Sequence, residues 1–283
     1  MPDAATTTSQ TATAAQTATA AYAPPSRETS LPAAQDQLLS DADVAQFVAR
    51  GYHLVQPDFR DGLNEEITAA LDVLDHNPGD NILDVTPQLY EVWQHPQVVG
   101  VLASLLGSDY TMNSHRHWHC LHPGRTGVYW HQDSTNQRHH EVRVLLALYY
   151  PHKVTAELGP TIIMPGTHFR NAPTDRMATY SNLKGQIPLV VEAGTVAFTH
   201  YDIWHAAATN RTDRRRHMLK FLFNRTGTPA APSWRHDPDT CAAEIAASMG
   251  SMVVSCSQSD HYKELTLRRQ MWKHMTGEAA AAK

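Results

Sequence analysis

No stretch of the 283 residues approaches the roughly 20 consecutive apolar positions that a membrane-spanning helix needs, so a bilayer is not an expected partner. Cysteine is scarce. Cys120, Cys241 and Cys256 are an odd number without CxxC spacing, which excludes a disulfide framework and a thiolate zinc site and makes a reducing, cytoplasmic setting the natural expectation. Basic charge is not in excess either: the formal net charge is -5, and no broad electropositive footprint exists for the phosphates of a nucleic acid. The one basic run, Arg214 to Arg216, would ordinarily be a solvated turn. The first twenty residues contain no Lys or Arg and no apolar signal core, so export is unsupported. Residues 1–35, rich in Ala, Thr, Ser, Gln and Pro, lack the large apolar side chains that offset ordering entropy, and a disordered tail without catalysis is expected there.

What the chain does have is a globular apolar content of 42% and eighteen histidines, many of them crowded into residues 115–140. Ser40 caps an expected helix that Gly51 stops, a short strand follows at Tyr52 to Val55, and helical spacing recurs over Asn64 to Leu74 and Pro96 to Leu106. Beyond residue 110 the pattern changes to short strands punctuated by Gly, Pro, Asn and Asp: 110–121, 141–150, 161–164, 189–191, 195–200 and 216–224. The expected fold class is mainly β with flanking helices (α+β), with a double-stranded β-helix core of the jelly-roll, cupin-like kind. Three regions follow: a tail over 1–35, a catalytic jelly-roll domain with N-terminal helices over 36–232, and a C-terminal helical extension over 233–283, with helices near 239–249 and 261–274.

Chemistry concentrates in two places. His131 and Asp133 are two positions apart after the Pro123-Gly124 turn, so on an extended chain their side chains share one face and can converge on an ion. One more imidazole from a distant strand would complete a 2-His-1-carboxylate facial triad, which leaves positions open on Fe(II) for a chelating co-substrate and dioxygen. His205, after the apolar run 195–200, is the candidate. An isolated HxD in so histidine-rich a chain is more often an ordinary pair than a metal site. The second place changes that weighting: Arg216, eleven positions after His205, opens an apolar strand that can return beside the metal, and its always-charged fork suits the far carboxylate of a dicarboxylic co-substrate. Arg214 and Arg215 are alternatives for the same role.

The sequence resembles the phytanoyl-CoA dioxygenase superfamily. The resemblance rests on an ordered set covering about residues 38–225: Phe47-Val-Ala-Arg-Gly-Tyr52 after the first helix, Trp130-His-Gln-Asp133, Leu158-Gly-Pro160 through Pro165-Gly-Thr-His168, and His205 followed by Asn210 and Arg216. It implies a non-haem oxygenase in which His131, Asp133 and His205 carry Fe(II) and the catalysis, and Arg216 binds 2-oxoglutarate. Dioxygen would be the oxidant, ascorbate a useful reductant in vitro, and a small metabolite or natural-product intermediate the substrate, hydroxylated with release of succinate and CO2. Relatives that halogenate carry a small residue at the carboxylate position, so Asp133 argues against halogenation; desaturation, epimerisation and ring formation stay open. Relatives often place a serine two residues after the distal histidine, where this chain has Ala207, so co-substrate binding leans on Arg216 or on a donor elsewhere.

Other residues invite weaker assignments. His115, His117 and His119 alternate with Arg116, Trp118 and Cys120, so one set faces the cavity, with the parity unresolved. His119, Gln137 on the loop after Asp133, and His168 in the turn after Pro165 are candidate substrate contacts. His139 and His140 are expected to be solvated, and Trp130 and Trp204 to be packing that aims the ligands beside them. Two other classes remain: a metal-dependent hydrolase or isomerase on a cupin-like barrel, in which Arg216 has no co-substrate to hold, and a non-catalytic jelly-roll binding protein.

Overall fold

The computed structural model describes residues 33–134, 139–171, 182–239 and 258–278. The two expected positions that fall outside them are Gln137 and the helix near 239–249, together with all but the last residues of the N-terminal tail.

Helix α1 (Asp41–Arg50) begins with a capping box, in which the Ser40 hydroxyl accepts from Asp43 N and the Asp43 carboxylate accepts from Ser40 N. It ends where Gly51 turns left-handed at φ 78°. Strand β1 (Tyr52–Val55) follows, then α2 (Leu63–Asp72), two short helices α3 (Ile82–Val85) and α4 (Leu89–Trp93) that periodicity did not reveal, and α5 (Pro96–Leu106). The strands are β2 (Thr111–Leu121), β3 (Val144–Tyr149), β4 (Thr161–Met164), β5 (Ile187–Pro188), β6 (Val196–His200), β7 (Trp204–Ala207) and β8 (Arg216–Asn224), and α6 (Gln258–Met275) closes the described chain. The strand expected at 189–191 is instead the two-residue β5: Val190 N turns back onto Pro188 O, and Val191 makes only an isolated bridge to Val154.

Two antiparallel sheets face one another as a jelly roll. The larger has the order β1-β6-β3-β8-β2 and the smaller β5-β4-β7. Alternation along β3 explains the layers. Leu145, Ala147 and Tyr149 pack outward against the helices with Phe198, Phe221 and Trp93, whereas Leu146, Leu148 and Tyr150 point between the sheets with Ile163, Leu189 and Met218. Both faces are covered, so β3 reads as a continuous apolar run. The C-terminal part is tied on by polar contacts. The buried Asp41 carboxylate accepts from Trp234 Nε1 (2.7 Å) and Asp237 N (2.7 Å) and pairs with His236, while Arg170 pairs with the buried Glu264 of α6.

Candidate metal and co-substrate site

The segment before Asp133 runs alongside β7 as a narrow ladder. Ala207 N donates to Val128 O (2.9 Å), and His131 and His205 exchange both backbone hydrogen bonds at 3.0 Å. Such a pair sets two side chains side by side. Their rings lie 4.1 Å apart, and Asp133, two positions along, brings its carboxylate to 3.6 Å from His131 Nε2 and 3.7 Å from His205 Nε2. Those gaps are too long for good hydrogen bonds. The three ligand atoms lie within 4.8 Å of one another, a spacing from which one divalent ion can be shared.

Each ring is oriented by its own chain. His131 Nδ1 lies 2.7 Å from Tyr129 O and His205 Nδ1 3.0 Å from Ile203 O. A carbonyl can only accept, so both Nδ1 atoms carry a proton and both Nε2 atoms face the shared space. Burial, and then His131, push His205 down to about 4, so it is neutral at physiological pH, the form that binds metal. Burial alone would raise the Asp133 pKa, but His205, Lys220 and His131 outweigh it and hold the carboxyl below its usual range. Lys220 was not anticipated: its Nζ donates to Asp133 Oδ2 at 3.0 Å from the middle of β8. No local motif marks a lone lysine in an apolar strand, and only the pairing of β8 with β2 and β3 brings it to the site.

The ladder opens onto a cavity of 120 Å³ lined by His131, His205, Leu148, Ile163 and Arg216 among others. Arg216 is 3% exposed, yet its Nε and Nη1 have no hydrogen-bond partner, and among the described residues no carboxylate lies within ion-pair distance of it. An isolated buried guanidinium is costly unless an anion meets it. Arg214 is exposed and Arg215 donates to Asp72 O, so neither alternative faces the cavity. The buried Asn210 shapes this arrangement. Its amide donates to Leu121 O and Arg214 O and its carbonyl accepts from Thr212, which curls the loop so that β8 starts at Arg216.

The sequence model described as phytanoyl-CoA dioxygenase (PhyH) matches residues 33–218 of the chain, a span that holds all three metal-directed side chains and Arg216. The chain belongs to the phytanoyl-CoA dioxygenase family. No curated protein sequence matches it. Among solved structures, the family fold is shared by SnoK, a non-heme alpha ketoglutarate dependent carbocyclase from nogalamycin biosynthesis, 20% identical over 69% of this chain and 87% of its own, with a TM-score of 0.54. HygX from Streptomyces hygroscopicus with nickel and 2-oxoglutarate bound is 15% identical over 70% and 90%, with a TM-score of 0.56. The epimerase SnoN in complex with Fe3+, alpha ketoglutarate and nogalamycin RO is 18% identical over 65% and 82%, with a TM-score of 0.53. At these identities the likeness is one of fold.

In this member of the phytanoyl-CoA dioxygenase family the parity of β2 is now visible. Trp118 and Cys120 pack toward the helices, while His119 lines the cavity, and His117 lies near enough to feel Asp133 and Lys220. Burial, then Lys220 and Arg216, lower His119 to about 3. His168 is not brought to the cavity: it is 1% exposed, pairs with Val48 O, and fills the space behind Gly51, where a Cβ would stand 2.4 Å from its Nδ1. It is a packing group, since the turn after Pro165 points inward beneath α1. His139 is not solvated, because its Nε2 pairs at 3.2 Å with the buried Asp202, whose backbone carbonyl also accepts from Gln132. His140 packs against His274 of α6. With Glu141 these two form another group able to approach one ion, but Arg143 already occupies the Glu141 carboxylate. Trp130 is buried with Ile162, Met164 and Ala206, and Trp204 Nε1 donates to Arg170 O, both as packing. Among the described residues, no helix is long and apolar enough to cross a membrane.

Proposed function

We propose that the protein is an Fe(II)- and 2-oxoglutarate-dependent oxygenase that hydroxylates an unactivated C–H bond of a small metabolite or natural-product intermediate, releasing succinate and CO2. The observation that carries this reading is the convergence of His131, Asp133 and His205 at the edge of a cavity that the two histidines line together with the buried, unpartnered Arg216. The donor set fits ferrous iron: two imidazoles and one ionised carboxylate. The orphaned guanidinium fits a dicarboxylic co-substrate better than it fits a hydrolase, which would have no second anion to place there. Bound iron and 2-oxoglutarate would together supply dioxygen activation, the chemistry that no side chain provides.

The rest is the protein's work. Tyr129 O and Ile203 O hold the two imidazoles in the ligating tautomer. Lys220 restrains the Asp133 carboxylate, so that its direction is set before any ion arrives. Arg216 would donate to the distal carboxylate of the keto-diacid, its rigid fork orienting that co-substrate toward the triad. Leu146, Leu148, Ile163 and Met218 wall the cavity and exclude water from the reacting atoms. We place these roles in a catalytic unit over 36–232, with 233–283 as a helical extension. SnoK is a carbocyclase and SnoN an epimerase, so within this fold the fate of the substrate differs between proteins; hydroxylation is the outcome we favour.

Anaerobic titration with Fe(II) and 2-oxoglutarate should give a weak visible charge-transfer band, and a substrate panel with Fe(II), ascorbate and 2-oxoglutarate should release succinate. Absence of the band together with tight zinc binding would favour the hydrolase reading instead.

A further inference from the structure

The co-substrate cavity has a neighbour on the far side of Arg216. This outer cavity, of 370 Å³, is lined by the C-terminal end of β2 and by His76, His122, Gly127 and Arg215 among others. His119, Val128, Ala207 and Arg216 line both spaces, so the partition between them is one residue thick. A third space, of 210 Å³, is lined by Asp133, Ser134, Val144 and Tyr201 among others. Strand order puts the three in line. Along β8, Arg215 lines only the outer cavity, Arg216 both, and Met218 and Lys220 only the inner one; along β3, Leu148 and Leu146 line the inner cavity and Val144 the third. The interior therefore runs from the outer cavity past Arg216 to the triad, and on to the Asp133 end. The outer cavity lies at an edge of the sandwich, where the larger sheet stops at β2 and the smaller one at the ladder beside β7. The partition there is slight, because Ala207 is small and Val128 is 54% exposed. Charge separates the two ends. Arg215 and Arg216 face the outer cavity against one carboxylate, Asp75, which is paired with His76, whereas the Asp133 end sets Asp133 and Asp202 against Arg143 alone. A dianion is drawn toward the first end and repelled by the second.

We propose that the outer cavity is the port through which the keto-diacid enters and succinate leaves, so that the oxidisable substrate has the Asp133 end to itself. A keto-diacid that passes the partition with its oxo end leading reaches the triad as its trailing carboxylate comes to rest on Arg216. From the Asp133 end the same molecule would have to thread past the metal ligands, through the space the substrate needs. Passage requires the partition side chains to swing aside, and exchange is then independent of whether substrate or product is still in place. This inference rests on the proposed 2-oxoglutarate site.

The test obstructs the port at two residues that line the outer cavity and not the inner one: Cys120, half-buried, and His122, exposed at the rim. In the full chain carrying Cys241→Ser and Cys256→Ser, a pyrenyl maleimide is attached to Cys120 and the single adduct verified by intact mass; His122→Trp is the second obstruction. Each protein is loaded with Fe(II) and mixed anaerobically with 2-oxoglutarate in a stopped-flow instrument. The observed rate of charge-transfer band formation, plotted against 2-oxoglutarate concentration, gives the association rate as slope and the dissociation rate as intercept. A blocked route raises the barrier equally in both directions, so both rates should fall about 10-fold or more while their ratio, the Kd, stays within about twofold. A residue that merely supports the site would change the Kd instead. Unchanged rates with both obstructions would place the entrance elsewhere and overturn the port, as would a Kd raised by faster dissociation alone. No band in the unmodified protein is a different failure: the 2-oxoglutarate site itself would then be misread, and the port would go with it.

Discussion

Replacing Arg216 with methionine tests the whole arrangement, because the residue sits in an unusual energetic position. Its guanidinium is already out of water, and burial lowers its pKa, yet Nε and Nη1 have no partner. The desolvation cost is therefore incurred in the free protein and need not be met again when a ligand arrives. Two hydrogen bonds to a charged acceptor, at about 1.5 to 3 kcal/mol each, give about 3 to 6 kcal/mol of binding. That corresponds to about two to four powers of ten in the 2-oxoglutarate Kd. The same variant removes an uncompensated buried charge and keeps the apolar stem, so the ligand-free protein should be no less stable and is expected to gain. Thermal unfolding with Mn(II), with and without 2-oxoglutarate, reads both effects. Wild type at about 100 times Kd gains about 2.7 kcal/mol from the ligand, a rise of about 5 to 10 °C for a domain of this size. Arg216→Met should start from an equal or higher midpoint and show no rise at that concentration. A variant that melts lower without ligand and still rises with 2-oxoglutarate would refute the reasoning, since Arg216 would then be a structural residue.

Lys220→Met should destabilise the metal-free protein by about 1 to 3 kcal/mol, because the buried Asp133 carboxylate loses its donor; saturation with Mn(II) should erase that deficit, so apparent metal affinity rises, as melting with and without the ion will show. Gly127→Ala would place a Cβ 1.9 Å from Ala207 O, forcing the segment before His131 off β7, and metal titration should find binding lost while far-ultraviolet circular dichroism is retained. Stability should also fall in acid earlier than carboxylate protonation requires. Buried His200 is pushed from the usual 6.5 to about 4, first by burial, so below about pH 6.5 the unfolded chain takes up a proton that the native state refuses. The loss should approach about 1.4 kcal/mol per pH unit for such a histidine and level off near pH 4. Asp41 then contributes at the acid end: its carboxyl is held below its usual value by Asp237 N, His236 and Trp234 against the effect of burial, so its stabilisation disappears only as pH falls through that lowered pKa. Denaturant melts from pH 7.5 to 4 that stay flat would contradict the histidine account.

Much of this protein was visible in local patterns. The Ser40 cap, the Gly51 stop and the bounds of α5, β4 and β8 follow from short-range rules, because capping, left-handed glycine and alternation act within a few residues. The HxD spacing and the arginine after His205 were equally local, since side-chain direction along a strand is set by the pleat. Where the patterns were weak they misled: Pro188 turned an expected strand into a two-residue one, and α3 and α4 were too short for their periodicity to register.

One-dimensional order could name the chemistry of the ligands but could not say who stands next to whom. The choice of Arg216 over its two arginine neighbours, the inward face of β2, the burial of His168 away from the cavity, and the arrival of Lys220 beside the triad all depend on pairing between strands far apart along the chain. Strand register is decided by how two sheets bury their apolar faces together, and a shift of one residue would turn every one of those side chains to the opposite side.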